Sequence, residues 1–324
     1  MLRKDDMKEL LHSIIVPVYQ SRASLEILVQ RVSTVMNEAG INFELVLVDD
    51  GSVDDSFSEI KRLVSIHSFI RGFRLSRNFG HQAAVTVGLQ KCAGEFIAII
   101  DDDLQDPPEI LPRFFECLYQ GTGVVYGIRK KRKEHILKRA AFASFYRLIN
   151  KVSNIYIPED AGDFCAMRRC VVNAMLQMPE ANPYLRGTRA WAGFQQIGFE
   201  YERSARAQGE SGYTLSKYFK LALTGLLMFS HIPLRVATIF GVITSLFSFI
   251  LAFYVITAWL IKPFDVPGYL STFMAITMLG GIQLISIGII GHYLGYLIDN
   301  NRRWPVAFVA ETVEGREDGP KCGV

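Results

Sequence analysis

Residues 95–109 read Glu95-Phe-Ile-Ala-Ile-Ile-Asp-Asp-Asp-Leu-Gln-Asp-Pro-Pro-Glu109. Phe96 to Ile100 is an apolar, β-branched run, the composition of a strand buried on both faces of a parallel sheet. It stops at three successive carboxylates, Asp101, Asp102 and Asp103. Pro107 and Pro108 then open a helix, with Asp106 placed to cap it. Open α/β sheets bind ligands beyond the carboxyl ends of their strands, so acids at this position are functional candidates rather than a solvated loop. Side chains two apart in an extended segment share a face, which lets Asp101 and Asp103 converge. Crowded carboxylates raise one another's pKa unless a cation neutralises them. Their hard oxygens suit Mg2+ or Mn2+ shared with substrate phosphate.

The flanking sequence repeats the arrangement. Ser13 to Val18 is an apolar strand ending at Pro17, Val18 and Tyr19, and Phe43 to Val48 is a second, ending in Asp49, Asp50, Gly51 and Ser52. Phe69 to Leu75 is a third, ending in Ser76, Arg77 and Asn78, and Gly123 to Tyr126 follows the central strand. Helical spacing fills the intervals at 25–36, 54–65, 81–91 and 108–119. Alternating strands and helices predict an α/β fold with a doubly wound, mostly parallel sheet. The polar clusters all follow strands, so they gather at one edge of that sheet. Asp163 stands just before a further strand.

Composition adds a membrane. Hydrophobic residues make up 50% of 324, and the mean hydropathy is +0.20. The net charge of +3 is too small to imply nucleic acid. Cys92, Cys117, Cys165, Cys170 and Cys322 lack zinc-ligand spacing and read as reduced thiols. Met1 to Leu11 is charged and lacks the apolar core of a signal peptide. Val236 to Ile261 and Gly268 to Ile298 each exceed the roughly 20 apolar residues that cross a bilayer. They predict a two-helix transmembrane hairpin. Basic residues flank its two ends (Lys217, Lys220, Arg235, Arg302, Arg303), whereas the Lys262–Pro267 connection has Lys262 offset by Asp265. The positive-inside rule puts both ends in the cytoplasm. Two amphipathic segments, 136–156 with the basic run before it and 214–232, suit an anionic membrane surface. The expected division is a catalytic domain over 1–213, including the interfacial helix 136–156. A juxtamembrane helix follows over 214–232, two spans over 233–299 and a cytosolic tail over 300–324.

Taken together, these residues resemble the family 2 inverting glycosyltransferases of GT-A fold. Specifically, the chain is similar to polyprenyl-phosphate glycosyltransferases of the dolichol-phosphate mannose synthase group and the bacterial enzymes that charge undecaprenyl phosphate with glucose. Pro17, Val18 and Tyr19 match the family's first loop, with Gln20 and Ser21 where Asn-Glu is usual. Val48-Asp49-Asp50-Gly51-Ser52 and Ser76-Arg77-Asn78-Phe79-Gly80 match fully. The resemblance implies a nucleotide-sugar site at Pro17, Tyr19, Val48, Asp50, Ser52, Ser76, Asn78, Asp101 and Asp102, with Asp50 on the nucleoside and Asp102 near the leaving group. It implies a Mg2+ or Mn2+ site at Asp101, Asp103 and Gln105. Arg129, Arg203, Arg206 and Ser211 would hold the lipid phosphate, Arg129 following the fifth strand. Asp163 resembles the candidate base, with sugar orientation, balance of the arginines, or capping of the next helix as alternatives; Asp103 and Arg129 complete the catalytic set.

The expected partners are a nucleotide sugar, UDP-glucose first, a polyprenyl phosphate, the lipid bilayer, further copies in a homo-oligomer and a separate flippase. Two other readings compete. A processive polysaccharide synthase carries Gln-x-x-Arg-Trp, which Arg303-Trp304 matches in part, with Asn300 at the first position. An inactive scaffold would not need Asp101, Asp103 and Gln105 intact. The charge asymmetry gives a direct test of orientation. In intact cells a membrane-impermeant thiol reagent labels Val266→Cys and spares Cys322; labelling at Cys322 alone reverses the assignment.

Overall fold

The computed structural model describes residues 6, 9–130, 162–178, 185–202, 232–261, 268–301 and 304–315. The segments 136–156 and 214–232, and Arg203, Arg206 and Ser211, lie outside the described residues. The predicted strands and helices appear with small changes of boundary. In order they are β1 (His12–Val18), α1 (Arg22–Glu38), β2 (Phe43–Asp49), α2 (Ser56–Ile66), β3 (Ile70–Leu75), α3 (His81–Lys91) and β4 (Phe96–Ile99). After a short 3-10 turn, Pro108–Ile110, come α4 (Leu111–Tyr119), β5 (Val124–Lys130), β6 (Cys165–Arg168), α5 (Arg169–Leu176), α6 (Leu185–Trp191) and β7 (Gln196–Glu202). Two long helices, α7 (Ile232–Ile261) and α8 (Tyr269–Asn301), precede a last strand, β8 (Val309–Glu314).

The eight strands form one sheet in the order β7-β5-β6-β4-β1-β2-β3-β8. Pairing is parallel for β1 with β2 and β4, β2 with β3, and β5 with β7. It is antiparallel on both sides of β6 and between β3 and β8. The two-residue period of a strand sends alternate side chains to opposite faces. Ile14, Val16, Leu45 and Leu47 therefore pack under α1, α2 and α4 with Leu28, Phe57 and Phe114. Ile15, Val46, Val48 and Phe73 pack on the other face with Val85, Val171 and Met175 of α3 and α5. Each fully buried aliphatic side chain contributes about 1.5–3 kcal/mol, and covering both faces leaves the strand ends as the place for polar chemistry.

Three expectations need correction. Asp106 does not cap a helix: it is fully buried, its carboxylate accepts the Tyr201 hydroxyl, and the following turn has no side-chain cap. A buried carboxylate takes the strongest donor within reach, and Tyr201 on β7 supplies it. The fifth strand runs on to Lys130, so Arg129 lies inside β5, its backbone paired with Tyr201, rather than after it. Finally, the segment read as a tail returns to the sheet. Val309–Glu314 alternates in exposure along β3, with Glu311 2.5 Å from Lys61 and Glu314 2.8 Å from Arg71.

The described residues fall into two compact units, the sheet with its helices and the α7–α8 pair. Among the described residues one helix, α8, is long and apolar enough to cross a membrane, over Met278–Gly295. The two-span hairpin therefore rests on composition.

Gly51 shows how tightly the loops at the strand ends cross. It has φ of +65°, and a Cβ there would lie 2.7 Å from the backbone nitrogen of Asn78. Gly51→Ala should cost about 2–3 kcal/mol from the left-handed backbone and the collision together. The expected result is a thermal midpoint lower by roughly 3–6 °C; an unchanged midpoint would refute the crossing.

Candidate active site

The carboxyl ends of β1, β2, β3 and β4 share an edge with the amino end of β6. From β1 the chain steps through β2 to β3 on one side and places β4 on the other, which makes a topological switch point between β1 and β4. Every described residue of the candidate site lies at or beneath this edge.

On the β1–β3 side, Tyr19 follows β1 with its side chain 44% exposed. Pro17 and Val48 are register partners inside β1 and β2, Val48 fully buried, so they support the edge from within the sheet. Asp49 and Asp50 are buried. Asp50 Oδ1 accepts the Phe79 N–H at 2.7 Å and Oδ2 the Gly80 N–H at 2.9 Å. Burial raises its carboxyl, and these two donors pull it back. Asp50 is thus the post that holds the turn after β3. Asp49 Oδ2 accepts the Ser52 N–H at 3.2 Å and lies 3.6 Å from Arg74 Nε. Ser76 and Asn78 are exposed on the turn, and the Ser76 N–H donates to the Phe308 carbonyl at 2.9 Å. The segment before β8 therefore braces the turn, as does the Arg77 guanidinium, 4.2 Å above the Phe79 ring.

On the β4–β6 side, Asp101 and Asp163 meet around one imidazole. His81 Nε2, at the start of α3, lies 3.8 Å from Asp101 Oδ1 and 3.9 Å from Asp163 Oδ2. Asp163 is also gripped by a fork: Arg186 Nε donates to Oδ1 at 2.8 Å and Nη2 to Oδ2 at 3.0 Å. Burial alone would raise the Asp163 carboxyl, but the Arg186 charge and its hydrogen bonds outweigh it and hold the group well below the usual carboxylate range. The helix-capping alternative falls away, because α5 begins at Arg169 directly after Arg168, its N-cap, and has no side-chain cap. Arg189, one turn beyond Arg186 on α6, is 3% exposed, with its guanidinium 5.4 Å from the Tyr126 ring centre. A small cavity beneath Asp163 is lined by Val85, Ile99, Cys165, Met167 and Leu185 with both arginines.

Asp101 has the opposite electrostatics. Burial pushes its carboxyl up to about 6; His81 opposes this, and the Asp163, Asp106 and Asp103 carboxylates add to it. Partly buried, mutually repelling hard oxygens are the donor set that a divalent cation stabilises, so Asp101 and Asp103 fit Mg2+ or Mn2+. Among the described residues no three His, Cys, Asp or Glu side chains form a ready-made cage. Gln105 is 7% exposed, and its backbone N–H donates to Asp103 Oδ1 at 3.0 Å. Leu104 between them has φ of +59°, a left-handed backbone of the kind that concentrates at functional loops.

Sequence reasoning missed His81, Arg186 and Arg189. Arg186 and Arg189 are three apart, a spacing that puts both on one face of a helix; that was the available signal. The remaining expected residues are placed in part: Arg129 by its backbone in β5, and Arg203, Arg206 and Ser211 outside the described residues.

Comparison with known proteins identifies the family. Residues 13–176 match the Glycosyl transferase family 2 model. The uncharacterized glycosyltransferase YkcC of Bacillus subtilis (strain 168) is 38% identical over 93% of this chain and 94% of its own. A prophage bactoprenol glucosyl transferase homolog of Escherichia coli (strain K12) is 35% identical over 90% of this chain and 96% of its own. Mycobacterium tuberculosis glucosyl-3-phosphoglycerate synthase, crystallised with Mn2+, UDP and glucosyl-3-phosphoglycerate, gives a TM-score of 0.46 at 17% identity, covering 67% of this chain and 78% of its own; at that distance it carries no argument. The family model spans half of the chain and the relatives nearly all of it, and the chain belongs to glycosyl transferase family 2.

Proposed function

We propose that the chain transfers glucose from UDP-glucose to undecaprenyl or another polyprenyl phosphate, with inversion, at the cytosolic face of a membrane. The observation that carries this reading is the meeting of Asp101 and Asp163 around His81 at the switch point. Relatives named for bactoprenol glucosyl transfer, similar over about nine-tenths of the chain, favour glucose and a polyprenyl acceptor.

In this reading Tyr19, Ser52, Ser76 and Asn78 line the nucleoside end, while Asp101 and Asp103 face the diphosphate. A bound Mg2+ or Mn2+ would supply Lewis-acid stabilisation of the charge that builds on the departing nucleoside diphosphate. The nucleophile is an oxygen of the lipid phosphate, which attacks the anomeric carbon opposite the leaving group. A phosphate monoester with a second pKa near 6 is mostly ionised at neutral pH, so no strong base is needed. Asp163, already ionised and forked by Arg186, serves to orient the sugar and to fix the guanidinium. Arg129, Arg203, Arg206 and Ser211 receive the lipid phosphate; charge-assisted hydrogen bonds of this kind contribute about 1.5–3 kcal/mol each. The two apolar helices anchor the chain as a hairpin with both ends cytosolic, copies associate as a homo-oligomer, and a separate flippase carries the product across.

Two experiments test this. A panel of nucleotide sugars with polyprenyl phosphate and Mg2+ or Mn2+ should show transfer from UDP-glucose above the others; Asp103→Asn should lower it at least a hundredfold without loss of fold. Undiminished transfer in excess chelator would overturn the cation's role. The second concerns pH. Asp163 has a depressed pKa, so its charge persists well below neutrality, and an acid limb near pH 6 belongs to the lipid phosphate and to Asp101, whose carboxyl burial pushes up to about 6. Asp163→Asn should slow transfer while leaving that limb in place; its disappearance in the variant would identify Asp163 as the proton acceptor.

A further inference from the structure

The loop after β1 turns sharply without a glycine. Gln20 has φ of +53°, a left-handed conformation that costs an ordinary residue roughly 1–2 kcal/mol. Three successive backbone donors hold it there. The Tyr19 N–H donates to Asp102 Oδ2 at 3.1 Å, the Gln20 N–H to Ser52 Oγ at 3.0 Å and the Ser21 N–H to Ser56 Oγ at 3.0 Å. The acceptors come from three different segments. Ser52 and Ser56 are buried beside β2 and in the first turn of α2. Asp102 alone of the three belongs to the loop that carries Asp101 and Asp103. That loop has its own left-handed residue, Leu104, two positions on. Two strained loops thus face each other across the switch point, and the carboxylate of Asp102 ties one to the other.

We infer that Asp102 is a positioning residue: it latches the Tyr19–Ser21 loop to the Asp101–Asp103 loop and so sets where the Tyr19 ring stands for the nucleoside of the donor. What the latch requires of position 102 is an acceptor oxygen aimed at the Tyr19 N–H; a negative charge is not required. This separates the role from cation binding, where a carboxylate is needed, and from a direct contact with the leaving group. The inference rests on the proposed nucleotide-sugar reading for its functional half. Its structural half stands on the Tyr19–Asp102 hydrogen bond, the one of the three that reaches the Asp101–Asp103 loop.

The test compares Asp102→Ala with Asp102→Asn in the full-length chain in detergent micelles. Hydrogen exchange of the Tyr19–Ser21 amides should quicken at least tenfold in the alanine variant and return toward the wild-type rate in the asparagine variant. With UDP-glucose as donor, KM should rise about tenfold in the alanine variant while kcat stays within about threefold, the size expected for one lost hydrogen bond at an ordered loop. Asparagine should recover most of the lost donor affinity. Unchanged amide exchange in the alanine variant overturns the latch whatever the substrate. Quickened exchange with an unchanged donor KM overturns its link to the nucleoside. If alanine prevents folding, the asparagine variant still decides: a tenfold rise in KM there means that charge matters, and the latch as stated fails. Absence of transfer by the wild-type protein counts against the proposed function, while the exchange comparison still decides the latch.

Discussion

Carboxylates held close together in a poorly solvated site repel one another, and the edge of this sheet is arranged around that repulsion. At 4 Å two like charges oppose each other by about 4 kcal/mol at a protein surface. The two acids that meet at His81 resolve it differently. Asp163 carries its own counter-charge in the Arg186 fork, and it stays ionised. Asp101 is opposed mainly by burial and neighbouring acids, with His81 as its partial relief. The asymmetry makes Asp101 the member that a nearby cation would stabilise. Asp163 is committed before any ligand arrives.

Such an arrangement needs rigid supports, and the loops supply them through buried hydrogen bonds and a close backbone crossing. Asp50 holds the turn after β3, Asp106 takes the Tyr201 hydroxyl from β7, and Gly51 lets two loops cross where a Cβ would collide. Each is buried or strained, and each sits at a strand end where the core beneath is packed on both faces. Preorganisation of this kind is what lets fixed groups stabilise developing charge without rearranging.

The legible parts of the fold were those with local signals. The strands β1, β2 and β4 are largely apolar runs and β3 interleaves Arg71 and Arg74 with apolar residues; all four end in polar clusters, so both their existence and the shared edge followed from the sequence. The strands β7 and β8 are half-exposed and pair with partners far along the chain, which leaves only a faint two-residue alternation to read. Arg186 could not be matched to Asp163 because an ion pair between separate segments has no period. Asp106 looked like a cap for the same reason: position in the chain says what a carboxylate can reach locally, and Tyr201 reaches it from another strand. The apolar helices were plain from composition.

The last strand has a consequence for biogenesis. Arg71 on β3 meets Glu314 on β8 across 243 positions of sequence, with both apolar helices in between. Until β8 is made, β3 is an open edge, and open edges invite pairing with other chains. At ordinary rates of about 5–20 residues per second, that interval lasts roughly ten to fifty seconds. Completion of the sheet therefore comes after the apolar helices have left the ribosome, which makes it a late event and ties the quality of the strand-end site to the correct handling of the helices that precede β8.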